Sequence, residues 1–447
     1  MSLFDVFRPM APSPMTVLAT QRAAEDDVGR AAAIARRWRA YNGQHPRPLT
    51  VRPGQADDNV IVNLARTVVD KGVSFLFGQD VAFELPSDAP ADAERWLVDV
   101  WRANRQATFL QQMALSGAVA GHVFVKLVPA APYPRLVLLD PATVTVRWDY
   151  DDITRVEWYR IQYPAIDPQT GKALVRRQVI ERDGVGWRVT DQRSDVDARD
   201  WIVTGETTWP WSWPPVVDCQ NLPAPHEYWG MSDIEDDLLA LNHACSFVLS
   251  NLARIVRYHA HPRTWGRGFA AQQLNTAVDE TIVLPSPDAE LRNLEMTSDL
   301  SSSIALYQRL REALLESARI PEVATGKLES AGALSGVALN ILYQPLIEKT
   351  QAKRRTYGDL LVELNRRLLA LGGFGEENVC EVHWPDLLPG DPKAAAETAL
   401  LQQPLGVSRD TLLERLGFDP DLEREKRDAG ATEMGNQLLT AFERGQQ

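Results

Sequence analysis

A proline inside what otherwise reads as one long helix narrows what this chain can become. Residues 332–340 follow a helix that Ile320-Pro321 stops, and they open a second helix predicted to run to about Leu371 with Pro345 in its interior. An internal proline removes one main-chain donor and clashes with the carbonyl four residues back, at a cost of about 3 kcal/mol. A chain that keeps a proline there uses the kink it makes.

Composition sets the outer bounds. The 447 residues are 45% hydrophobic and 24% charged, the make-up of a folded protein of several domains. Cys219, Cys245 and Cys380 are too few and too scattered for a disulfide framework and point to a reducing compartment. Asp5 interrupts what a secretory signal would need as an apolar run. The longest uncharged stretch, residues 107–125, holds Gln111, Gln112 and His122 and is broken by Gly117 and Gly121; it reads as a helix turning into a strand, not a membrane span. Net charge is −13, which argues against a tight, sequence-independent grip on nucleic acid, since that needs a basic face. It is compatible with letting nucleic acid pass.

The predicted class is α+β. Residues 1–24 read as a flexible arm, and a helix then opens at Glu25-Asp26-Asp27 and stops at Asn42-Gly43. A second helix is expected from about Asn59 to Leu76, and a third from Ala91 carrying Trp96 and Trp101. From Gly121 the apolar period becomes two, giving consecutive antiparallel strands with one wet face to about Thr190. Ser232 and Glu235 form a capping box. After it Ile234, Leu238, Leu241, Cys245, Val248, Leu252 and Ile255 step by four and three, the seam of a helix packed lengthwise on others. Leu239, Phe247, Leu249 and Val256 make further faces apolar, so this helix needs partners on more than one side. A small α/β insert spans 262–296, with Gly266-Arg267-Gly268 as a loop and strands at 281–285 and 291–296; a helix capped by Ser298-Asp299 follows. The tail is helical, interrupted at Pro404 and Pro420.

Catalytic signatures are nearly absent. Gly171-Lys172 and Gly326-Lys327 lack the remaining residues of a Walker loop. The acids at 149–152 read as a polar turn, because Thr154 and Arg160 stand where an EF-hand loop needs Gly and Glu. His259 and His261 diverge at a helix end and make a poor shared metal site. No enzyme activity, cofactor or metal is expected. Trp209, Trp211 and Trp213, stiffened by prolines and without interleaved Lys or Arg, read as a plug in a joint between the β region and the long helix that follows; stacking on bases or binding a partner is the alternative. Lys349, Lys353, Arg354 and Arg355 make a basic stripe. It either is a solvated face or meets acids such as Glu235, Asp236 and Asp237 of a neighbouring copy.

In order along residues 30–420, Tyr41-Asn42-Gly43, Asn63 to Gly78, Gly117 to Gly121, Leu139-Asp140-Pro141, Pro215-Val216-Val217 with Asn221, residues 230–234, residues 335–349 and residues 384–389 resemble the portal proteins of tailed double-stranded DNA phages, particularly the long-tailed type of Gram-positive hosts. The resemblance implies a mainly helical, ring-forming fold: a wing (25–231), a stem of two helices (232–261 and 297–320), a clip (262–296), a tunnel loop (321–336), a long kinked wing helix (337–379) and a short helical crown (380–447). It implies a twelve-membered homo-oligomer at one capsid vertex of the virion, assembled in the host cytoplasm, through which double-stranded DNA is packaged and ejected. Terminase, head-completion or adaptor proteins, major capsid and scaffolding proteins would be its partners, and no membrane. Lys327, Glu329, Ser330 and Ser335 would lie nearest DNA, with Arg263 and Arg267 in the clip. A portal-like ring of a prophage or gene-transfer particle is the alternative; a nucleic-acid-processing enzyme is the less favoured one.

Overall fold

Alanine and long straight side chains carry the first helix further back than its acidic cluster suggests. The computed structural model describes residues 14–197, 199–260, 263–268, 287–294, 300–326, 336–388 and 392–427. In it α1 runs Pro14–Tyr41, so residues 14–24 are helix and not arm. Ala19, Ala23 and Ala24 favour helix intrinsically, and a proline is tolerated in a first turn. Gly43, with φ +79°, ends α1 as expected.

The second helix, α2 (Leu64–Phe77), starts later than the sequence suggests, capped by Asn63, whose side chain accepts the Arg66 N–H. The preceding residues stay out of the helix because other groups claim their main-chain donors: Val60 N–H bonds Ser250 Oγ (2.9 Å), Val62 N–H bonds Ser246 Oγ (3.2 Å) and Leu64 N–H bonds Asn242 Oδ1 (2.8 Å). β1 (Ala82–Glu84), α3 (Ala91–Ala103), α4 (Gln106–Ala120) and β2 (His122–Val128) follow. Gly121 joins α4 to β2 at φ +89°, where an added Cβ would stand 2.5 Å from Gly230 O.

The strands do not form one sheet. β3 (Arg135–Leu139) pairs with β2, which also pairs with β9 (Val216–Gln220). β4 (Val144–Trp148), β5 (Val156–Ile166), β6 (Ala173–Asp183), β7 (Gly186–Ser194) and β8 (Ile202–Trp209) make a separate five-stranded antiparallel meander. The split falls at Pro141–Thr143, where Asp140 caps a short turn by accepting the Ala142 N–H, and Arg30 of α1 donates to Pro141 O and Val144 O. The main core lies between these sheets and the helices and holds Trp101, Phe124, Trp187 and Tyr357 fully buried.

α5 spans Asp236–Ala260. Its capping box is half formed: Glu235 accepts the Ser232 N–H, but the Ser232 hydroxyl accepts the Ile234 N–H and turns to Ala118 O and Val119 O at the end of α4. Within the insert, β10 (Arg263–Arg267) pairs antiparallel with β11 (Glu290–Leu294), so the stretch expected as a loop at Gly266 is strand; the expected strand at 281–285 lies outside the described residues. α6 (Leu300–Ser317) ends where Arg319 takes φ +59° and Ile320 N–H bonds Leu315 O. α7 (Gly336–Leu371) continues through Pro345 and stops at Gly372-Gly373. β12 (Glu381–His383) pairs with β1.

The chain divides into two units, residues 1–327 with 343–385, and residues 328–342 with 386–447. In the second, α8 (Pro392–Gln402) and α9 (Arg409–Arg415, capped by Ser408) are short helices. Helix resumes over 420–427 with Pro420 at its start, where the missing N–H costs nothing.

Candidate functional site: a buried charge node on α7

Lys349, Lys353 and Tyr357 recur every four residues and so share one face of α7. All three are buried. Facing them is Asp233, fully buried just ahead of α5, with Oδ2 2.6 Å from Lys353 Nζ and Oδ1 3.3 Å from Lys349 Nζ. Lys349 also donates to Ala318 O beyond the last turn of α6 (3.1 Å). Asn221, following β9, donates to Asp233 Oδ1 (3.3 Å) and to Met231 O (3.0 Å), and accepts the Tyr357 hydroxyl (3.1 Å). Asp233 N–H bonds Ala118 O (2.8 Å), and Gly72 of α2 approaches so closely that a Cβ there would stand 3.0 Å from Asp233 Oδ2. Five helices and a sheet edge therefore meet at one carboxylate.

Burial alone would raise the Asp233 carboxyl; the ammonium groups of Lys349 and Lys353 outweigh it and hold it below the usual range. Burial pulls the Lys353 ammonium down, against the attraction of Asp233. Two cations and one anion in such a place are costly unless every partner is present, so the node specifies geometry more than it adds stability. It can hold the ends of α5 and α6 to α7.

The basic stripe is thus largely interior to the chain and not a solvated face. Two of its four members, Lys349 and Lys353, are interior, and Arg354 lies 5.0 Å over the Trp384 ring and donates to Pro385 O. Arg355 alone is exposed. Two of the three acids suggested for a neighbouring copy are engaged within the chain: Asp236 pairs with Arg36 (2.7 Å) and Glu235 with Arg37, while Asp237 is exposed. Sequence could show the four-residue spacing on α7 but not that Asp233, read as part of a cap, would be its counter-ion.

The tryptophans are a plug. Trp209 and Trp213 are buried, with Trp209 Nε1–H donating to Trp213 O (2.9 Å), Trp213 Nε1–H to Glu376 Oε1 (2.9 Å), and Trp211 stacked on Trp213. The plug seats against the end of α7. Arg267 is exposed and pairs with Glu290 (2.9 Å); Arg263 stands opposite Leu294 in the β10–β11 register. Pro345 lies on an exposed side of α7. Lys327, Glu329, Ser330 and Ser335 fall outside the described residues.

The class emerges from most of the chain: residues 30–433 match the family of phage portal proteins described as SPP1 Gp6-like. The chain belongs to that portal family. No curated protein matches it. Among solved structures it is similar to a chain in the virion of a native gene transfer agent particle, at 16% identity over 88% of this chain and 99% of that one, TM-score 0.46. It is also similar to one in the neck of an empty gene transfer agent particle, at 15% identity over 79% and 89%, TM-score 0.44. The family match, not these distant likenesses, carries the assignment.

Proposed function

We propose that copies of this portal protein close into a ring, twelve in the particle, around a channel through which double-stranded DNA enters and leaves the capsid. The observation that carries the reading is α5. Residues Asp236–Tyr258 are long and apolar enough to cross a membrane, yet only 22% of that stretch is buried within one chain. Phe247 is 45% and Val256 48% exposed, and on the adjoining α6 Ile304 and Leu306 are exposed as well. A lipid contact fits poorly, because α5 also carries Asn242, Ser246 and Ser250 bonded to residues 60–64, and Arg254 and Arg257 paired with Asp58. Uncovered flanks on two packed helices suit head-to-tail neighbours in a closed ring.

In this reading α5 and α6 are the stem, residues 262–296 the clip where terminase and head-completion proteins dock through groups such as Arg263 and Arg267, and residues 321–336 the tunnel loop. There Lys327, Glu329, Ser330 and Ser335 line the channel. Pro345 is the kink of the long wing helix α7, and residues 380–447 form the crown. The ring acts without chemistry of its own, in the capsid vertex, beside capsid and scaffolding proteins. Sedimentation and negative-stain microscopy of the purified chain test it: a large ring with a central pore is expected, and a stable monomer at micromolar concentration overturns it.

A further inference from the structure

β9 is an edge strand, and the edge it leaves open lines a cavity of about 700 Å³. Leu127 N–H bonds Pro215 O (2.8 Å) and Asn221 N–H bonds Gly121 O (2.9 Å). With Val217 opposite Val125 and Cys219 opposite Val123, the odd-numbered residues of β9 turn their main chain to β2. Val216, Asp218 and Gln220 turn theirs the other way. Arg367 of α7 already occupies one end of that edge, donating to Pro214 O and Val216 O at 2.7 Å each. Beyond it the N–H and C=O of Asp218 have no partner among the described residues.

The cavity has two walls. One is β5 and β7, with Tyr159 and Trp187; the other is α7, with Asp359 and Glu363. The Asp218 carboxylate is not available to a ligand, because His122 (3.0 Å), the Tyr159 hydroxyl (2.9 Å) and the Tyr228 hydroxyl (2.6 Å) all bond it. The lining cations are likewise matched: Arg155 with Asp149 (3.8 Å) and Glu157 (3.4 Å), Arg182 with Glu157 (4.0 Å), Arg367 with Glu363 (2.6 Å). Asp359 and Glu227, both exposed, form no ion pair among the described residues. The unmatched charge of the cavity is negative.

We infer that this cleft receives an extended, basic segment of a separate partner protein, which adds a strand to β9 at Asp218 and sets a Lys or Arg against Asp359. Strand addition draws affinity from main-chain bonds and selectivity from alternate side chains. Here alternate positions meet the aromatic wall of β5 and β7 and the acidic wall of α7. A second copy, at net charge −13, is a poorer match in sign. The inference does not depend on ring closure.

The probe is a fluorescein-labelled peptide TKVKVKT, titrated by fluorescence polarisation into the full-length chain, with TEVEVET and an alternately N-methylated TKVKVKT as controls. Expected are micromolar binding of the first, at least tenfold weaker binding of both controls, several-fold weakening by Asp359→Asn, and slower hydrogen exchange at the Asp218 amide. Undiminished binding of the N-methylated peptide overturns strand addition. Equal binding of the acidic peptide, insensitivity to Asp359→Asn, or no binding to 1 mM (roughly the weak limit of a specific contact) overturns the basic segment. Binding by the dissociated chain but not by the ring would make a neighbouring copy the occupant and overturn a separate partner.

Discussion

Lys353 Nζ and Asp233 Oδ2 lie 2.6 Å apart although 120 residues separate them in sequence. Both are buried, and Lys349, one turn earlier on α7, shares the same carboxylate. Removing the anion strands two ammonium groups in the interior. Asp233→Ala is therefore expected to cost about 3–5 kcal/mol in denaturant unfolding. Replacing Asp233, Lys349 and Lys353 together by apolar residues of similar size should recover most of that loss. If the single and triple variants are equally destabilised, the node is not an electrostatic unit.

The pH dependence has a defined sign. Asp233 sits below its ordinary value of 3.8 in the folded chain, so the unfolded chain binds more protons in the window beneath 3.8. Its contribution is present above 3.8 and is lost as pH falls through the folded value. Lys353, lowered from 10.5, acts in the same direction below 10.5, where the unfolded chain again holds the proton more tightly. Asp233→Asn should flatten the acid limb of a stability-against-pH curve measured by urea unfolding. An unchanged limb would place the acid sensitivity elsewhere.

Gly117 of α4 leaves no room for a methyl group: a Cβ there would stand 2.0 Å from Tyr357 Oη and 2.7 Å from Val123 Cγ2. Gly117→Ala should destabilise the chain by about 1–3 kcal/mol through overpacking. Tyr357→Phe removes the obstructing oxygen, together with its bond to Asn221. Adding it to Gly117→Ala should cost less than the two single changes summed, as a thermal or urea double-mutant cycle will read.

Phe247 and Val256 give the ring a direct handle. Phe247→Glu with Val256→Glu changes two exposed positions, so the folded chain should lose less than about 1 kcal/mol. Assembly should fail, leaving a species of 49.9 kDa in sedimentation with unaltered far-ultraviolet dichroism. Intact rings from this variant would remove α5 from the subunit contact.

Pro345→Ala restores the missing donor in α7 and is expected to stabilise that helix by up to about 3 kcal/mol. Ring formation should survive while DNA packaging falls. Normal packaging would take the bend out of the mechanism.

How legible all this was in the sequence depends on range. Local signals read well: Asn42-Gly43, Gly121, Gly372-Gly373 and the period-two strands sit where turn chemistry and alternation place them. Misreadings arose where distant groups override local preference. Residues 60–63 stay out of the helix because α5 supplies acceptors for their N–H groups, and Ser232 also bonds α4. The node was half visible, as a four-residue spacing on α7, but a counter-ion far away in sequence carries no local signature. The split of the strands into two sheets turns on Arg30 reaching Pro141 and Val144, a contact of the same hidden kind.

The pairing of Arg36 with Asp236 and Arg37 with Glu235 has a consequence for any neighbour that settles on α5. With those two acids paired at home, the adhesive left along the helix at Phe247 and Val256 is oil more than charge. Added sulfate should tighten such a joint instead of loosening it.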